Sequence, residues 1–341
     1  MRASIGTLAV LGLRQIRMDA VPTTAYLMTS GRCSGDCAYC GQGQGAVGDH
    51  DRLSRITWPE VSEDQLIEAF VSHPGAFQRV CFQTTASRGV LRQVLALAPR
   101  IQKASNTPIS VSYRVTTREE ADQLFGAGIQ RIGVAIDCCS QRLYPQLRGG
   151  SLFDSVSLVK QLAALYPGRI STHLIVGLGE SEMEAAELML DLHRSDVLVS
   201  LFAFTPVRGT PMEHGSPPAL VSYRKLQLLL GLLDWQKEEQ FSVVYDAGSI
   251  HGFSLDEAQI RSFLQRHFVF VTHGCPGCNR PFYTEAPGGT MFNFPSVPTG
   301  AGRREVDEFI DELKSEDFDF GSKRGFCETG IPSRDARQHG A

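Results

Sequence analysis

Cys33-Ser34-Gly35-Asp36-Cys37-Ala38-Tyr39-Cys40 follows a short apolar run, Tyr26-Leu27-Met28, and is surrounded by Gly, Ser and Asp. The apolar run reads as a strand and the segment after it as the loop leaving that strand's C-terminal end. Three thiolates with three and then two residues between them can wrap one corner of a cubane. They would ligate three irons of a [4Fe–4S] cluster and leave the fourth iron open to a small molecule. A zinc knuckle or a disulfide loop is the alternative, but zinc usually takes four ligands and the loop contains no histidine.

Outward from this loop, short β-rich runs alternate with amphipathic stretches. Strands are expected at 24–29, 80–84, 109–113, 131–136, 170–176 and 197–204. Helices are expected at 62–71, 90–104, 117–127, 152–165, 182–194 and 221–239. Ser62 with Gln65 and Thr117 with Glu120 have the spacing of capping boxes. Six βα units predict an α/β fold, a partial TIM-type (β/α)6 barrel, with a doubly wound open sheet as the competing arrangement. The texture changes near residue 273, where Cys275-Pro-Gly-Cys278 opens a Pro/Gly-rich path with a charged helix near 304–315. The expected organisation is an N-terminal segment (1–20), a barrel (21–272) and an irregular cysteine-containing C-terminal extension (273–341) lying over one end of the barrel.

The chain has 341 residues, 42% of them apolar, and a net charge of −4. That is enough apolar material for a large core, and the charge argues against nucleic acid as the main partner. No apolar run is long enough to span a membrane and no secretory cleavage signal is evident, so a cytoplasmic protein is expected. Nine cysteines in such a compartment point to metal binding rather than disulfides.

In a βα barrel the C-terminal strand ends gather the active site. The cysteine loop, Gln83-Thr84-Thr85, Asp137, Gly177 through Glu180 and Phe204 through Pro211 all fall at such ends. Here the chain resembles the radical S-adenosylmethionine (SAM) enzymes of the biotin-synthase-like branch, over about residues 20 to 250. Cys33, Cys37 and Cys40 match that superfamily's cluster loop, and Tyr39 stands where the family places an aromatic beside the adenine. His173 through Glu180 matches the fifth-strand adenine motif through Ile175, Gly177 and Glu180, with His173 in place of the usual Gly. Phe204 through Pro211, with Pro206, resembles the sixth-strand segment that approaches the adenosine. The resemblance implies that SAM chelates the open iron. It also implies that the reduced cluster cleaves SAM to methionine and a 5′-deoxyadenosyl radical, which takes hydrogen from an unactivated C–H bond. A low-potential electron donor of the ferredoxin or flavodoxin type is implied as well. Asp137 could accept ribose hydroxyls or cap a helix, and Arg148 could pair with the SAM carboxylate or a substrate carboxyl, or lie solvated. His173 could point into the barrel or stand as a hydrogen-bonded core histidine, and Arg88 stays ambiguous.

Cys275 and Cys278, with Cys327 further on, read as ligands of a second [4Fe–4S] cluster, as a structural zinc site, or as a redox dithiol. Ser333 is a candidate fourth ligand. Relative to biotin synthase, Cys81 falls where one ligand of the sacrificial cluster stands, while Ser110 and Ser171 replace two others. On that count no cluster is expected in the barrel core, and Cys81, Cys138 and Cys139 read as buried packing residues. The stretch from Cys275 to Tyr283, with Pro287-Gly-Gly289 and Asn293-Phe-Pro295, resembles the C-terminal region of the split lipoyl synthases. That resemblance implies sulfur insertion into octanoyl groups on lipoyl-carrier proteins, together with a homologous radical SAM partner subunit. Other expectations are a small-molecule rearrangement, a cofactor-maturation reaction, or a non-catalytic iron–sulfur scaffold.

Overall fold

A computed structural model describes residues 1–235, 241–285, 288–300 and 302–321. Its main sheet has seven strands in the order β1 (Arg2–Ala3), β2 (Thr24–Met28), β3 (Arg79–Gln83), β4 (Ile109–Ser112), β5 (Ile129–Gly133), β6 (Ile170–Val176) and β7 (Leu198–Ala203). Strands β2 to β7 pair in parallel, and β1 adds antiparallel to β2 at one edge. Each parallel strand is followed by a helix: Glu63–Ser72, Val90–Ser105, Arg118–Gly126, Leu152–Leu165, Glu182–Arg194 and Leu220–Trp235. This is the α/β partial barrel that the alternating pattern predicts. Most strand positions are buried, and β2 is buried at all five of its positions, although β3, β4 and β5 also carry polar side chains.

The helix starts follow local chemistry. Ser62 and Thr117 form the two expected capping boxes, and Ser181 with Glu184 and Asp256 with Gln259 form two more. Within residues 1–20, Arg2–Ala3 pair with β2 at the sheet edge. Besides β1 this stretch contributes a helix, Ile5–Val10, whose Thr7 hydroxyl accepts the Tyr26 backbone N–H at 2.9 Å. The expected strand at 131–136 begins and ends earlier, at 129–133. From the Gly133–Ser171 pair to the Asp137–Leu174 bridge, β5 advances four residues while β6 advances three. One extra residue makes a β-bulge. The Thr172 hydroxyl supports it, donating to the Val134 carbonyl at 2.7 Å and accepting from the Ile136 N–H at 3.1 Å.

The segment after residue 273 reaches the barrel mouth at the N-terminal strand ends, opposite the cysteine loop. The Gly277 carbonyl accepts from the Thr23 and Thr24 hydroxyls, and the Thr23 N–H donates to Asn279. Buried Arg79, at the start of β3, donates to the Pro276 carbonyl, the Ser110 hydroxyl and Gln130 at 2.7–2.9 Å. The chain then climbs past β2 and β7. Tyr26 of β2 accepts from the Arg280 N–H at 3.0 Å, the Phe202 ring of β7 packs on Tyr283, and Thr205 donates to the Thr284 carbonyl. Cys327 and Ser333 lie outside the described residues. No helix among the described residues is long and apolar enough to cross a membrane.

Because one guanidinium ties this segment to two strands, Arg79→Met should lower the unfolding free energy by about 2–4 kcal/mol. Urea unfolding would read that loss, and limited proteolysis should show faster cleavage within residues 273–285.

Candidate functional site

The three thiols Cys33, Cys37 and Cys40 line one cavity of about 270 Å³, whose wall also includes Tyr39, Asp137, Arg148, His173, Ile175 and Phe202. Local turns shape the loop that carries them. The Cys40 N–H donates to the Cys37 carbonyl at 3.0 Å and the Gly43 N–H to the Cys40 carbonyl at 2.9 Å. A Cβ at Gly43 would meet that Cys40 carbonyl at 3.0 Å, so the turn favours glycine. Donors already face two sulfurs: the Gly35 and Ala86 N–H groups reach Cys33 at 3.4 Å, and Arg148 reaches Cys37 at 3.5 Å. Burial pushes the Cys40 thiol up to about 12 and raises Cys37, against which the Arg148 charge works. Removing a proton from such buried thiols is unfavourable unless a cation replaces it, which is the condition a thiolate-bound metal group satisfies.

Above the thiols stands a buried charge cluster. Asp137 accepts the Tyr39 hydroxyl at 2.6 Å and pairs with Arg148 Nε at 2.7 Å and His173 Nε2 at 2.8 Å. The bulge in β5 aims this carboxylate, and Asp137 holds a left-handed φ of 66°. Burial alone would raise its pKa. His173, Arg148 and the Tyr39 hydroxyl prevail and hold it well below the usual carboxylate range. Arg148 shows the complement: burial disfavours its charge, but Asp137 raises its pKa on balance. Tyr39 and Arg148 thus meet at Asp137, and His173, which points into the barrel, joins them. Its signal was its place on β6, three residues before Val176.

Other expected site residues lie off the cavity wall. Glu180 accepts the Gly177 and Leu178 N–H groups at 2.6 and 2.9 Å, so its carboxylate closes the βα turn. Gly177 has φ of 102°, and a Cβ there would meet Pro218 at 2.8 Å. Pro206 stands between two residues that do line the cavity, Thr205 and Val207. Arg88 is exposed, whereas Cys138 and Cys139 are buried.

The larger departure from expectation concerns Cys81. It is no isolated packing residue: Cys81 and Cys275 line the same cavity as the first three thiols, together with Ser110, Ser171, Arg280 and Tyr283. Burial and the nearby Cys275 and Cys278 thiols push Cys81 up to about 12, opposed by Arg280. Arg280 is disfavoured as a cation by burial, yet the surrounding Cys278, Tyr26, Cys81 and Cys275 raise it on balance. Among the described residues no three His, Cys, Asp or Glu side chains close around a single-ion position.

Residues 27–192 match the model of the radical SAM superfamily. Curated relatives include a biotin synthase of Clostridium acetobutylicum, 23% identical over 55% of this chain and 58% of that protein. Another is the biotin synthase of Pelotomaculum thermopropionicum, 27% identical over 54% of this chain and 57% of the relative. The chain thus spans less than two thirds of the length of these relatives. Among solved structures, methylornithine synthase is similar at a TM-score of 0.49 and 16% identity, over 61% of this chain and 62% of that one.

Asp137→Asn, which leaves Arg148 and His173 facing a neutral amide, should cost about 3–5 kcal/mol at pH 7. The folded pKa lies below the unfolded reference of 3.8, so this contribution is present above that value and is lost as pH falls through the depressed one. Urea titrations should therefore show the gap between parent and variant shrinking as pH drops from about 4 toward 2.

Proposed function

Since the chain carries a radical SAM domain, we propose that it is an enzyme of the biotin-synthase-like branch that inserts sulfur into octanoyl groups on a lipoyl-carrier protein. Cys33, Cys37 and Cys40 would hold a [4Fe–4S] cluster with one open iron. Tyr39, Asp137, Arg148 and Ile175 line the space where SAM would lie. The donor set fits: three thiols share a cavity wall with N–H groups facing two sulfurs. When bound, the cluster and SAM supply one-electron chemistry that makes a carbon-centred radical able to take hydrogen from an unactivated C–H bond.

The protein's own residues do the positioning. The Asp137 carboxylate fixes the Tyr39 ring and the Arg148 guanidinium in one arrangement, a fixed pair of polar groups for a polar cofactor. Phe202, Phe204, Ala203 and Val207 give the upper cavity an apolar wall that suits an alkyl chain and limits water beside a reactive radical. The observation that carries the sulfur-insertion reading is that Cys81 and Cys275 line the same cavity as the first cysteine trio. A sulfur source would then lie within reach of the carbon that loses hydrogen. The resemblance of the stretch from Cys275 to Tyr283 to split lipoyl synthases supports the same reading. In this account the protein works in the cytoplasm, with an electron donor of the ferredoxin or flavodoxin type and a homologous partner subunit.

The test is mass spectrometry of an octanoylated carrier peptide incubated anaerobically with reconstituted protein, SAM and dithionite, with and without a homologous partner. A gain of sulfur mass and formation of 5′-deoxyadenosine are expected, and Cys37→Ala should reduce both to background. If 5′-deoxyadenosine accumulates while sulfur mass is absent with and without the partner, the lipoyl reading fails and another radical reaction takes its place.

A further inference from the structure

Tyr26, Cys81 and Ser110 sit side by side on three adjacent strands, because β2, β3 and β4 pair in parallel with Tyr26 opposite Cys81 and Cys81 opposite Ser110. Neighbouring strands lie about 4.8 Å apart, so these residues form one short row across the barrel wall. The segment rising through the barrel brings a second row against the first. Cys278 Sγ is 3.4 Å from the Tyr26 hydroxyl, and the Ser110 hydroxyl donates to Cys275 Sγ at 3.6 Å. Cys81 stands between those two contacts, and both Cys81 and Cys278 pack on the cluster of Tyr26, Met28 and Trp58. Three thiols far apart in sequence therefore converge in the barrel interior, toward the N-terminal mouth and away from the Cys33 loop.

A second observation points to a ligand there. The fully buried Arg280 Nη1 has no hydrogen-bond partner. Its guanidinium lies over the Phe202 ring at 4.3 Å and lines the cavity beside Cys81 and Cys275. Arg280 also holds a left-handed φ of 36°, with Phe282 at 54°. A buried cation left with an unused donor, on backbone that side chains rarely adopt, is a costly arrangement that an anionic ligand would relieve.

We propose that Cys81, Cys275 and Cys278 form a second iron–sulfur site inside the barrel, with Arg280 as its charge and hydrogen-bond partner. A [4Fe–4S] core in its 2+ state held by three thiolates carries one net negative charge, which one guanidinium balances. The ligand set differs from the expectation that pairs the CxxC cysteines with Cys327. It also reverses the expectation that the barrel core cannot hold a cluster, because the positions of Ser110 and Ser171 are compensated by two thiols from a distant segment. The site stands on its own residues, whether or not the sulfur-insertion reading holds.

The test uses the full chain with the first trio removed, as Cys33→Ala/Cys37→Ala/Cys40→Ala, reconstituted anaerobically with iron and sulfide. This protein should keep about four irons per chain with a cluster-type visible and EPR spectrum. Adding Cys81→Ser or Cys275→Ser should reduce iron to under about a tenth of that. Arg280→Gln should hasten cluster loss to a chelator about 10-fold or more. Thermal melts of the metal-free variants that match the background separate ligand loss from misfolding. Full iron retention in Cys81→Ser or in Cys275→Ser, or a background protein that takes up zinc alone, would each overturn the assignment. Since none of these readouts involves turnover, failure of the octanoyl assay leaves them intact.

Discussion

The Asp137 carboxylate is the point on which the upper end of the barrel depends. It is buried, ionised and shared among Tyr39 from the cysteine loop, His173 from β6 and Arg148 from the connection after β5. A buried carboxylate is costly unless every partner is present, so the three elements are obliged to keep one mutual arrangement. Arg148 extends the linkage to Cys37, and the Ala38 N–H donates to the Leu147 carbonyl at 2.8 Å. The loop that would grip a cluster is thereby tied to the barrel instead of hanging from β2 alone.

The aim of that carboxylate comes from one extra residue. The bulge between Gly133 and Asp137 turns the side chain inward, and the Thr172 hydroxyl satisfies the backbone groups that the broken ladder would otherwise strand. A regular strand would continue the alternation of faces without the left-handed φ at Asp137. Local irregularity and site geometry are here one feature.

At the opposite mouth, the segment after residue 273 serves as both plug and wall. It anchors to the strand starts through Thr23, Thr24 and Arg79, then climbs past β2 and β7 to meet Arg55 and Thr205. A six-stranded parallel sheet that stops short of a full barrel leaves an opening. This segment contacts both flanking strands with polar and aromatic groups together. It also carries two thiols into an interior that the strands alone line with one thiol and several hydroxyls.

Much of this was legible in the chain itself, because it rests on neighbours in sequence. The period of βα units, the capping boxes at Ser62 and Thr117, the strand at Ile170–Val176 and the spacing of Cys33, Cys37 and Cys40 are local properties. The turn that Glu180 closes is local too, its carboxylate accepting from Gly177 three residues back, although the sequence pointed to Glu180 only through the family motif. What the sequence could not order was contact across long separations. Cys81 and Cys278 are 197 positions apart, and nothing in the flanks of Cys81 announces a partner. Their meeting follows from parallel register and from the path of an irregular segment whose backbone bonds go to strand starts. Likewise the bulge at Asp137 depends on how β5 and β6 pair, so its inward carboxylate, and the company of His173, emerged only once the strands lay side by side.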